Sequence, residues 1–335
     1  MDMVRIPAAE METEFFRILS DRGFPDGNAR VCAKLFTDNS LEGVYTHGVN
    51  RFPRFVDYIV RGFIKVNQEA VCAHAAGAIE QWDGQLGPGP INALRCTDRA
   101  LKLSDEFGIG CVALSHTNHW MRGGAYGWRA AKAGYAFIGW TNTVANTPAW
   151  GAKNARLGNN PIVFAAPYND EAVVVDMAMS QFSYGSMEMF KMKGQRLPVP
   201  GGYDREGKLT DDPTAILESQ RTLPIGYWKG AALSLLLDLL ATILSGGQST
   251  LKISSAPEEY DVSQVFIGIN LSRLSHANAI PLLTREIIED YQRSETAEGG
   301  ESVRYPGQKA LYLRNENLKN GIPVQKGIWE SIISL

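Results

Sequence analysis

The sequence has few cysteines and no surplus of positive charge. Its four cysteines stand at positions 32, 72, 96 and 111 and form no C-x-x-C pair. This spacing provides neither a zinc-binding framework nor a dense set of disulfides, so we expect reduced thiols. The 335 residues carry a net charge of −3. A basic surface of the kind that binds nucleic acid is therefore not expected.

Segments typical of exported or membrane proteins are also missing. No apolar core follows the first residues, as it would in a signal peptide. The longest apolar run, residues 230–247, carries Asp238 in its middle. It is short for a membrane span, and a buried aspartate would be costly there. We expect a cytoplasmic protein with no membrane partner, and a buried helix at 230–247.

The G-x-G-x-x-G fingerprint of a Rossmann nucleotide site is absent. Gly84, Gly87 and Gly89 stand in the order G-x-x-G-x-G, with prolines at 88 and 90. Proline removes amide donors that would face a phosphate. A turn and a helix cap are the favoured interpretation.

Strand-like and helix-like segments alternate through the middle of the chain, which indicates an α/β protein. Two amphipathic helices are predicted within residues 8–41. Glycine and proline punctuate residues 185–207, which predicts a long surface excursion, and residues 296–302 are predicted to form a polar loop. The predicted central elements are strands at 70–73, 78–82, 110–114, 135–141, 162–166, 173–177 and 265–269, and helices at 91–107, 125–133, 230–247 and 279–293.

One stretch, Tyr45 to Tyr58, concentrates the residues expected to carry chemistry. Interpreted as a helix interrupted near Gly48 and Pro53, it places His47 and Arg51 one turn apart on the same face. A histidine titrates near neutral pH, and an arginine can clamp an anion with two parallel hydrogen bonds. Taken alone, His47 could equally be a surface or capping residue.

Polar residues also follow two predicted buried strands. Asn118, His119 and Thr141 are candidates for contacts with substrate hydroxyls, because ligands of open α/β sheets bind at strand ends. His116 and His119 suggest zinc, but no third ligand stands nearby, so no metal is predicted. Lys229 opens the long apolar helix, where it could attract an anion or simply be solvated.

Several strings together resemble the malate/L-lactate dehydrogenase family, also called the L-sulfolactate dehydrogenase-like family. They are Y-T-H-G-V-N-R-F-P-R-F, H-W-M-R-G-G, W-G-A-K, V-D-M-A-M-S, L-P-I-G-Y-W-K-G and Y-P-G, and they run in order nearly from end to end. The resemblance implies a mixed β-sheet flanked by helices, a non-Rossmann NAD-binding fold. It also implies a homodimer, for which we expect the 230–247 helix to supply the interface.

The resemblance implies a reductase whose general acid is His47, while Arg51 is our candidate for binding the substrate carboxylate. We expect hydride transfer from NADH to the ketone of a keto sugar acid, with His47 needing little tuning of a pKa near 6.5. The resemblance assigns the cofactor to Val173, Val174, Val175, Asp176, Met177, Ala178, Met179, Trp228, Lys229, Gly307, Gln308 and Lys309. We expect a single catalytic unit, with residues 1–69 plus 271–335 as a helical substrate and dimer part and 70–270 as the cofactor-binding part.

Two alternatives stay open on the sequence. A dehydrogenase of the same fold could act on a smaller 2-hydroxy acid such as malate, lactate or ureidoglycolate, and a non-catalytic binding protein would not need His47. Gln308-Lys309 replaces the His-Glu pair of the related sequences. A glutamate would repel a ribose phosphate and a lysine would attract one, so a reduced margin of NADH over NADPH is expected.

Overall fold

A computed structural model describes residues 2–297, 300 and 302–335. The predicted 296–302 loop therefore lies partly outside the described residues. The helices found within them are α1 (Ala8–Asp21), α2 (Asp26–Leu41), α3 (Phe52–Val60), α4 (Gly89–Phe107), α5 (Gly124–Lys132), α6 (Tyr184–Met192), α7 (Pro213–Ser219), α8 (Trp228–Ser245), α9 (Thr250–Ile253), α10 (Ile280–Gln292), α11 (Gln308–Asn320) and α12 (Lys326–Ile333). The strands are β1 (Met3–Ile6), β2 (Val71–Ala76), β3 (Ile79–Asp83), β4 (Ile109–Thr117), β5 (Tyr135–Thr141), β6 (Ala145–Pro148), β7 (Ala155–Gly158), β8 (Ile162–Tyr168), β9 (Glu171–Met177), β10 (Gly202–Tyr203), β11 (Leu209–Thr210), β12 (Val262–Asn270) and β13 (Ile322–Gln325).

A seven-stranded sheet forms the centre of the molecule, in the order β2-β3-β4-β12-β5-β8-β9. Strands β3 and β4 pair in parallel, and the other neighbours pair antiparallel. The parallel pair is joined by α4, as a parallel connection requires. The predicted mixed sheet flanked by helices is confirmed.

The two faces of the sheet bury different sets of side chains, because successive residues of a strand point to opposite sides. Phe266 of β12 joins a core with Trp120 and Tyr126, beneath α4 and α5. Its neighbour Val265 packs on the opposite face with Leu237 of α8. The loops at the ends of these strands are therefore supported by an apolar core on each face of the sheet.

The terminal helices form a separate apolar cluster beside the sheet. Helix α1 places Met11, Phe15 and Ile18 on one stripe, the spacing of an amphipathic helix. The Phe15 and Phe52 rings stack at 4.0 Å between centroids. Strand β13 pairs with β1, which brings the end of the chain to this cluster. The proposed division into a helical part and a cofactor-binding part stays a prediction.

The surface excursion expected at residues 185–207 is confirmed only in its second part, where residues 191–196 and 198–200 are exposed. Helix α6 occupies the first part, and its Ser183 cap accepts a hydrogen bond from the Ser186 amide. Met187 is buried with Leu197 and Ile216 in a small core of its own. The misleading residues, Gly194 and the prolines beyond it, end this helix rather than prevent it.

Helix α8 is buried on one face only, which corrects the expectation of a wholly buried helix. Its inner residues, such as Leu237 and Ala241, pack on the sheet, whereas Leu235, Leu239 and Ile243 are at least half exposed. Among the described residues, this is the one helix long and apolar enough to cross a membrane by length and composition. A single such helix is weak evidence, because core helices of soluble proteins pass the same test.

Candidate active site

A polar cleft of about 630 Å³ lies between the helical part, the loops at the ends of β5 and β7, and the start of α6. This size is typical of small-molecule sites. His47, Arg51 and His119 line it, together with Asn159 and Glu259. Three of the residues singled out from sequence therefore meet in one place.

His47 reaches the cleft from a tight turn rather than from a continuous helix. A 3-10 turn spans Tyr45–His47, and α3 begins only at Phe52. The turn is held by α2, because Asn39 Nδ2 donates to the His47 carbonyl at 3.0 Å and the Val49 amide donates to Ser40 Oγ at 2.8 Å. A side chain at position 48 would collide with Ser40, so glycine is required there. The single face expected for His47 and Arg51 is thus produced by a turn.

The His47 ring is oriented by its neighbour Thr46. Thr46 Oγ1 lies 3.2 Å from His47 Nδ1, and a hydroxyl can donate to that nitrogen or accept from it. Thr46 can therefore support the ring in either protonation state. Because Nδ1 is engaged with Thr46, Nε2 is the nitrogen that can exchange a proton with a ligand.

The pKa of His47 is lowered to about 4, first by burial and then by the charges of Arg51 and Arg122. The expectation that His47 needs little tuning is therefore wrong for the free site. Arg122 is itself buried and ion-paired with Glu42. Near neutral pH the free site holds a neutral imidazole between two guanidinium groups, which favours the entry of an anion.

His119 lies against His47, with ring centroids 5.6 Å apart and planes inclined by 23°. Its Nδ1 accepts a hydrogen bond from the Met121 amide at 2.9 Å. Burial, followed by the charges of Arg51 and His47, holds the pKa of His119 well below its usual range. The ring is therefore neutral and carries its proton on Nε2, which makes it a hydrogen-bond donor.

Arg51 is a poorly satisfied cation at the edge of the cleft. Its Nη2 lies 4.0 Å from Glu259 Oε1, too far for a hydrogen bond. Among the described residues this is its one ion pair, and its guanidinium makes no hydrogen bond there. An arginine with free donors is suited to bind a carboxylate in two-pronged fashion.

Two predicted substrate contacts lie outside the cleft. The Asn118 amide donates to the carbonyls of Phe63, Leu86 and Gly87 and holds those loops together. Thr141 is buried and bonds to the carbonyls of Asn142 and Ser263. The donors of both side chains are used within the fold, whereas Asn118 Oδ1 is buried without a partner in a small cavity that Arg51 and His119 also line. The roles of Asn118 and Thr141 as substrate contacts stay predictions.

The two histidines of the H-T-N-H string, His116 and His119, lie in different surroundings. His116 pairs with Asp261 at 2.8 Å, away from the cleft that His119 lines. No group of three or more His, Cys, Asp or Glu side chains suited to a metal occurs in the part of the chain that the structure describes.

The segments assigned to the cofactor are neighbours in space. The Val174 amide of the edge strand β9 donates to the Pro306 carbonyl at 3.1 Å, next to Gly307. The Ile225 amide donates to the Met179 carbonyl at 2.8 Å, which brings the start of α8 beside the end of β9. The β9 edge, as the name is used below, comprises Val173, Val174, Val175, Asp176, Met177, Ala178, Met179, Trp228, Lys229 and Gly307. Of these, Val174 and Met179 are buried, and the others are at least partly accessible.

The β9 edge offers a close-packed glycine loop, an aromatic ring and a lysine side chain. Gly307 has φ of +97°, and a Cβ there would lie 2.9 Å from Trp128 of α5 and 3.5 Å from the Val174 nitrogen, so the loop packs closely against both the helix and β9. Trp228 offers a largely exposed aromatic ring, and Lys229 follows it at the first turn of α8. Gln308 is occupied by bonds with Gln292 and the Tyr305 amide, and Lys309 is exposed.

Two contacts connect the β9 edge with the His47 cleft. Asp176 Oδ2 accepts a hydrogen bond from the amide of Gly124, which follows His119 by five residues in the chain. The Asn159 carbonyl accepts one from the Met179 amide, while Asn159 itself lines the cleft. The bond between Met179 and Asn159 therefore joins the end of β9 to the wall of the cleft.

Comparison with known proteins decides the family. The model of the malate/L-lactate dehydrogenase family matches residues 6–333. The chain belongs to this family. It is 42% identical over 333 residues to 2,3-diketo-L-gulonate reductases of Pasteurella multocida and Escherichia coli, covering 99% of this chain and 100% of each relative.

Solved structures of the family show the same fold. Sulfolactate dehydrogenase from Methanocaldococcus jannaschii superposes with a TM-score of 0.90 at 26% identity, covering 98% of this chain and 95% of that one. Malate dehydrogenase from Entamoeba histolytica gives 0.93 at 20% identity, covering 99% and 97%. Membership of the malate/L-lactate dehydrogenase family makes the chain an oxidoreductase acting on the CH–OH/C=O couple with a nicotinamide cofactor.

Sequence reasoning missed Glu259, Glu188 and Asn159 as residues of the cleft. Glu259 belongs to a loop before β12, more than two hundred residues from Arg51. No local pattern marks it, because its role comes from a contact between distant segments. The L-G-N-N-P turn that contains Asn159 could have been suspected from its unused amide groups.

Proposed function

We propose that the enzyme reduces 2,3-diketo-L-gulonate to 3-keto-L-gulonate with NADH. The observation that carries the proposal is that His47 lines the same polar cleft as Arg51, whose guanidinium makes no hydrogen bond among the described residues. The names of the relatives at 42% identity support this substrate. The smaller 2-hydroxy acids remain the alternative that experiment must exclude.

Arg51 would bind the C1 carboxylate and His47 would act at the adjacent C2 oxygen. The cofactor, held by the β9 edge, supplies the hydride when bound. His47 Nε2 gives its proton to the carbonyl oxygen as charge develops there. Nearby, the His119 Nε2–H can donate to an oxygen of the substrate and orient it.

Substrate binding would also prepare the acid. The charge of Arg51 helps to lower the pKa of His47 in the free site. A bound carboxylate cancels much of that charge and favours imidazolium. Proton uptake would then accompany binding of the keto acid, so that the acid is formed where it is used.

The test is oxidation of NADH and NADPH against a panel of keto acids. The expected result is the highest kcat/KM with 2,3-diketo-L-gulonate and NADH. A higher kcat/KM with the keto acid of malate or lactate would favour the alternative. The absence of reduction with every acid of the panel would overturn the proposal.

A homodimer in the cytoplasm is the proposed state of the enzyme. The outer face of α8, with Leu235, Leu239 and Ile243 exposed four residues apart, is the proposed interface. An apolar stripe of this kind is typical of a surface covered in an assembly. The cysteines are free, as expected of a reducing compartment.

Sedimentation at low micromolar protein tests the assembly. A dimer would have twice the 36.8 kDa of the chain. Leu239→Glu should shift it to the monomer, whereas Leu318→Glu, on an exposed residue of α11, should not. A wild-type monomer with full activity would contradict the dimer.

A further inference from the structure

The carboxylate of Glu259 is fixed in place at the wall of the cleft. Its Oε2 accepts a hydrogen bond from the Val144 amide at 3.1 Å. The side chain is only 12% exposed, and it lines the cleft. Glu259 is thus held rigidly, as a residue that recognises a ligand must be.

Glu259 Oε1 is left without a hydrogen-bond donor. The closest charged partner is Arg51 Nη2, at 4.0 Å. Among the described residues no group donates to Oε1. A carboxylate oxygen can accept about two hydrogen bonds, so a half-buried one gains from any donor that a ligand brings.

A polyhydroxylated acid brings the groups that this arrangement requires. Its carboxylate can take the free donors of Arg51, and its hydroxyls can donate to Glu259. Both kinds of acid place a carboxylate on Arg51, but a short keto acid without hydroxyls offers no donor to offset the negative charge of Glu259. One residue can therefore favour the long substrate and oppose the short one.

We propose that Glu259 selects polyhydroxylated keto acids by accepting a hydrogen bond from a substrate hydroxyl while Arg51 holds the carboxylate. This inference rests on the proposed function, since it names the part of the substrate that Glu259 reads. Glu188, exposed on α6 at the same cleft, adds negative charge near Arg51. Its side chain is not fixed as that of Glu259 is.

Glu259→Gln tests the proposal, because glutamine keeps the size and can still accept from the Val144 amide. The kcat/KM for 2,3-diketo-L-gulonate should fall by about 10- to 100-fold, the usual value of a hydrogen bond to a charged group. The kcat/KM for pyruvate should stay the same or rise. Glu69→Gln is the matched control, because it makes the same change of charge at a residue that pairs with Arg95 outside the cleft. It should leave the ratio of the two substrates unchanged.

A binding measurement separates this inference from the proposed function. The wild-type enzyme loaded with NADH should bind L-gulonate, which cannot accept a hydride, more tightly than L-lactate by calorimetry. Glu259→Gln should abolish that difference, and thermal melting should confirm that the variant is folded. If the glutamine variant does not fold, Glu259→Asp replaces it, because the shorter side chain keeps the charge but moves it away from the substrate. This variant should also reduce the difference.

The outcomes are distinct. An equal loss for long and short acids, or no change for either, would overturn the role of Glu259. A wild-type enzyme that reduces no keto acid would overturn the proposed function. The preference for L-gulonate in calorimetry would still decide the role of Glu259 in that case.

Discussion

The His47 cleft and the β9 edge lie side by side but are built from different materials. The cleft collects ionisable groups: Arg51 Nη2 and Glu259 Oε1 face each other at 4.0 Å, and the ring of His47 lies against that of His119. The β9 edge consists of strand backbone, a glycine loop and an exposed tryptophan. The contrast indicates a division of labour, in which the cleft handles charge and proton transfer and the edge handles a flat cofactor.

The largest effect is expected from His47→Ala, which tests this division. We expect kcat to fall by roughly 10²–10⁴-fold, the usual contribution of a positioned acid. NADH affinity should stay nearly the same, because the edge does not depend on the imidazole. His116→Ala is the matched control, since His116 pairs with Asp261 away from the cleft. Wild-type reduction by the His47 variant would refute the assignment.

The second test is the dependence of stability on pH. The folded pKa of His47 is about 4, below the unfolded value of about 6.5. The unfolded chain therefore binds more protons between these values, and the free energy of unfolding decreases as pH falls from 6.5 to 4. His47 would account for at most about 3 kcal/mol of this decrease.

Urea unfolding at pH 7 and pH 4.5 measures that contribution. His47→Gln should lose less stability than the wild type on acidification. The lowered pKa of His119 should leave part of the decrease in place. Parallel losses in the wild type and the glutamine variant would show that His47 is not held neutral by the fold.

The third test is Arg51→Lys, which keeps the charge but loses the planar fork. We expect KM for a keto acid to rise about tenfold, a change of about 1.4 kcal/mol. The Kd of NADH should change much less. Arg61→Lys, on an arginine outside the cleft, should change neither. If NADH binding weakens while KM is unchanged, Arg51 belongs to the cofactor.

Features with a local signal in sequence were predicted well. The period of apolar residues marked most central strands and helices, and the unusual string around His47 marked the centre of the cleft. Gly48 and Pro53 were correctly interpreted as an interruption, although the resulting turn was not foreseen. The first part of the excursion expected at 185–207 forms α6 instead, because Met187 finds a core partner in Ile216, a distant residue.

Features that depend on distant contacts could not be predicted. Asn118 and Thr141 have the right chemistry at strand ends, but their donors are taken up by carbonyls distant in sequence, that of Leu86 for Asn118 and that of Ser263 in β12 for Thr141. The lowered pKa of His47 follows from burial and from Arg122, which only the fold brings near. Burial and pairing across the chain, rather than residue type, decide which polar groups remain free for a ligand.

The smallest effect is expected at the β9 edge, from Lys309→Glu. Lys309 is exposed in the first turn of α11, next to the glycine loop against β9. An exposed lysine near a ribose phosphate would contribute about 0.2–1 kcal/mol, at most about a fivefold preference. A glutamate is well tolerated at a helix N-terminus, so stability should not confuse the result. The ratio of kcat/KM for NADPH over NADH should fall by up to about this factor, with kcat for NADH unchanged.

Lys319→Glu, at the other end of α11, makes the same change of net charge and should leave the ratio as it is. An unchanged ratio in both variants would mean that Lys309 faces solvent, and that the discrimination between cofactors comes from the backbone of the edge.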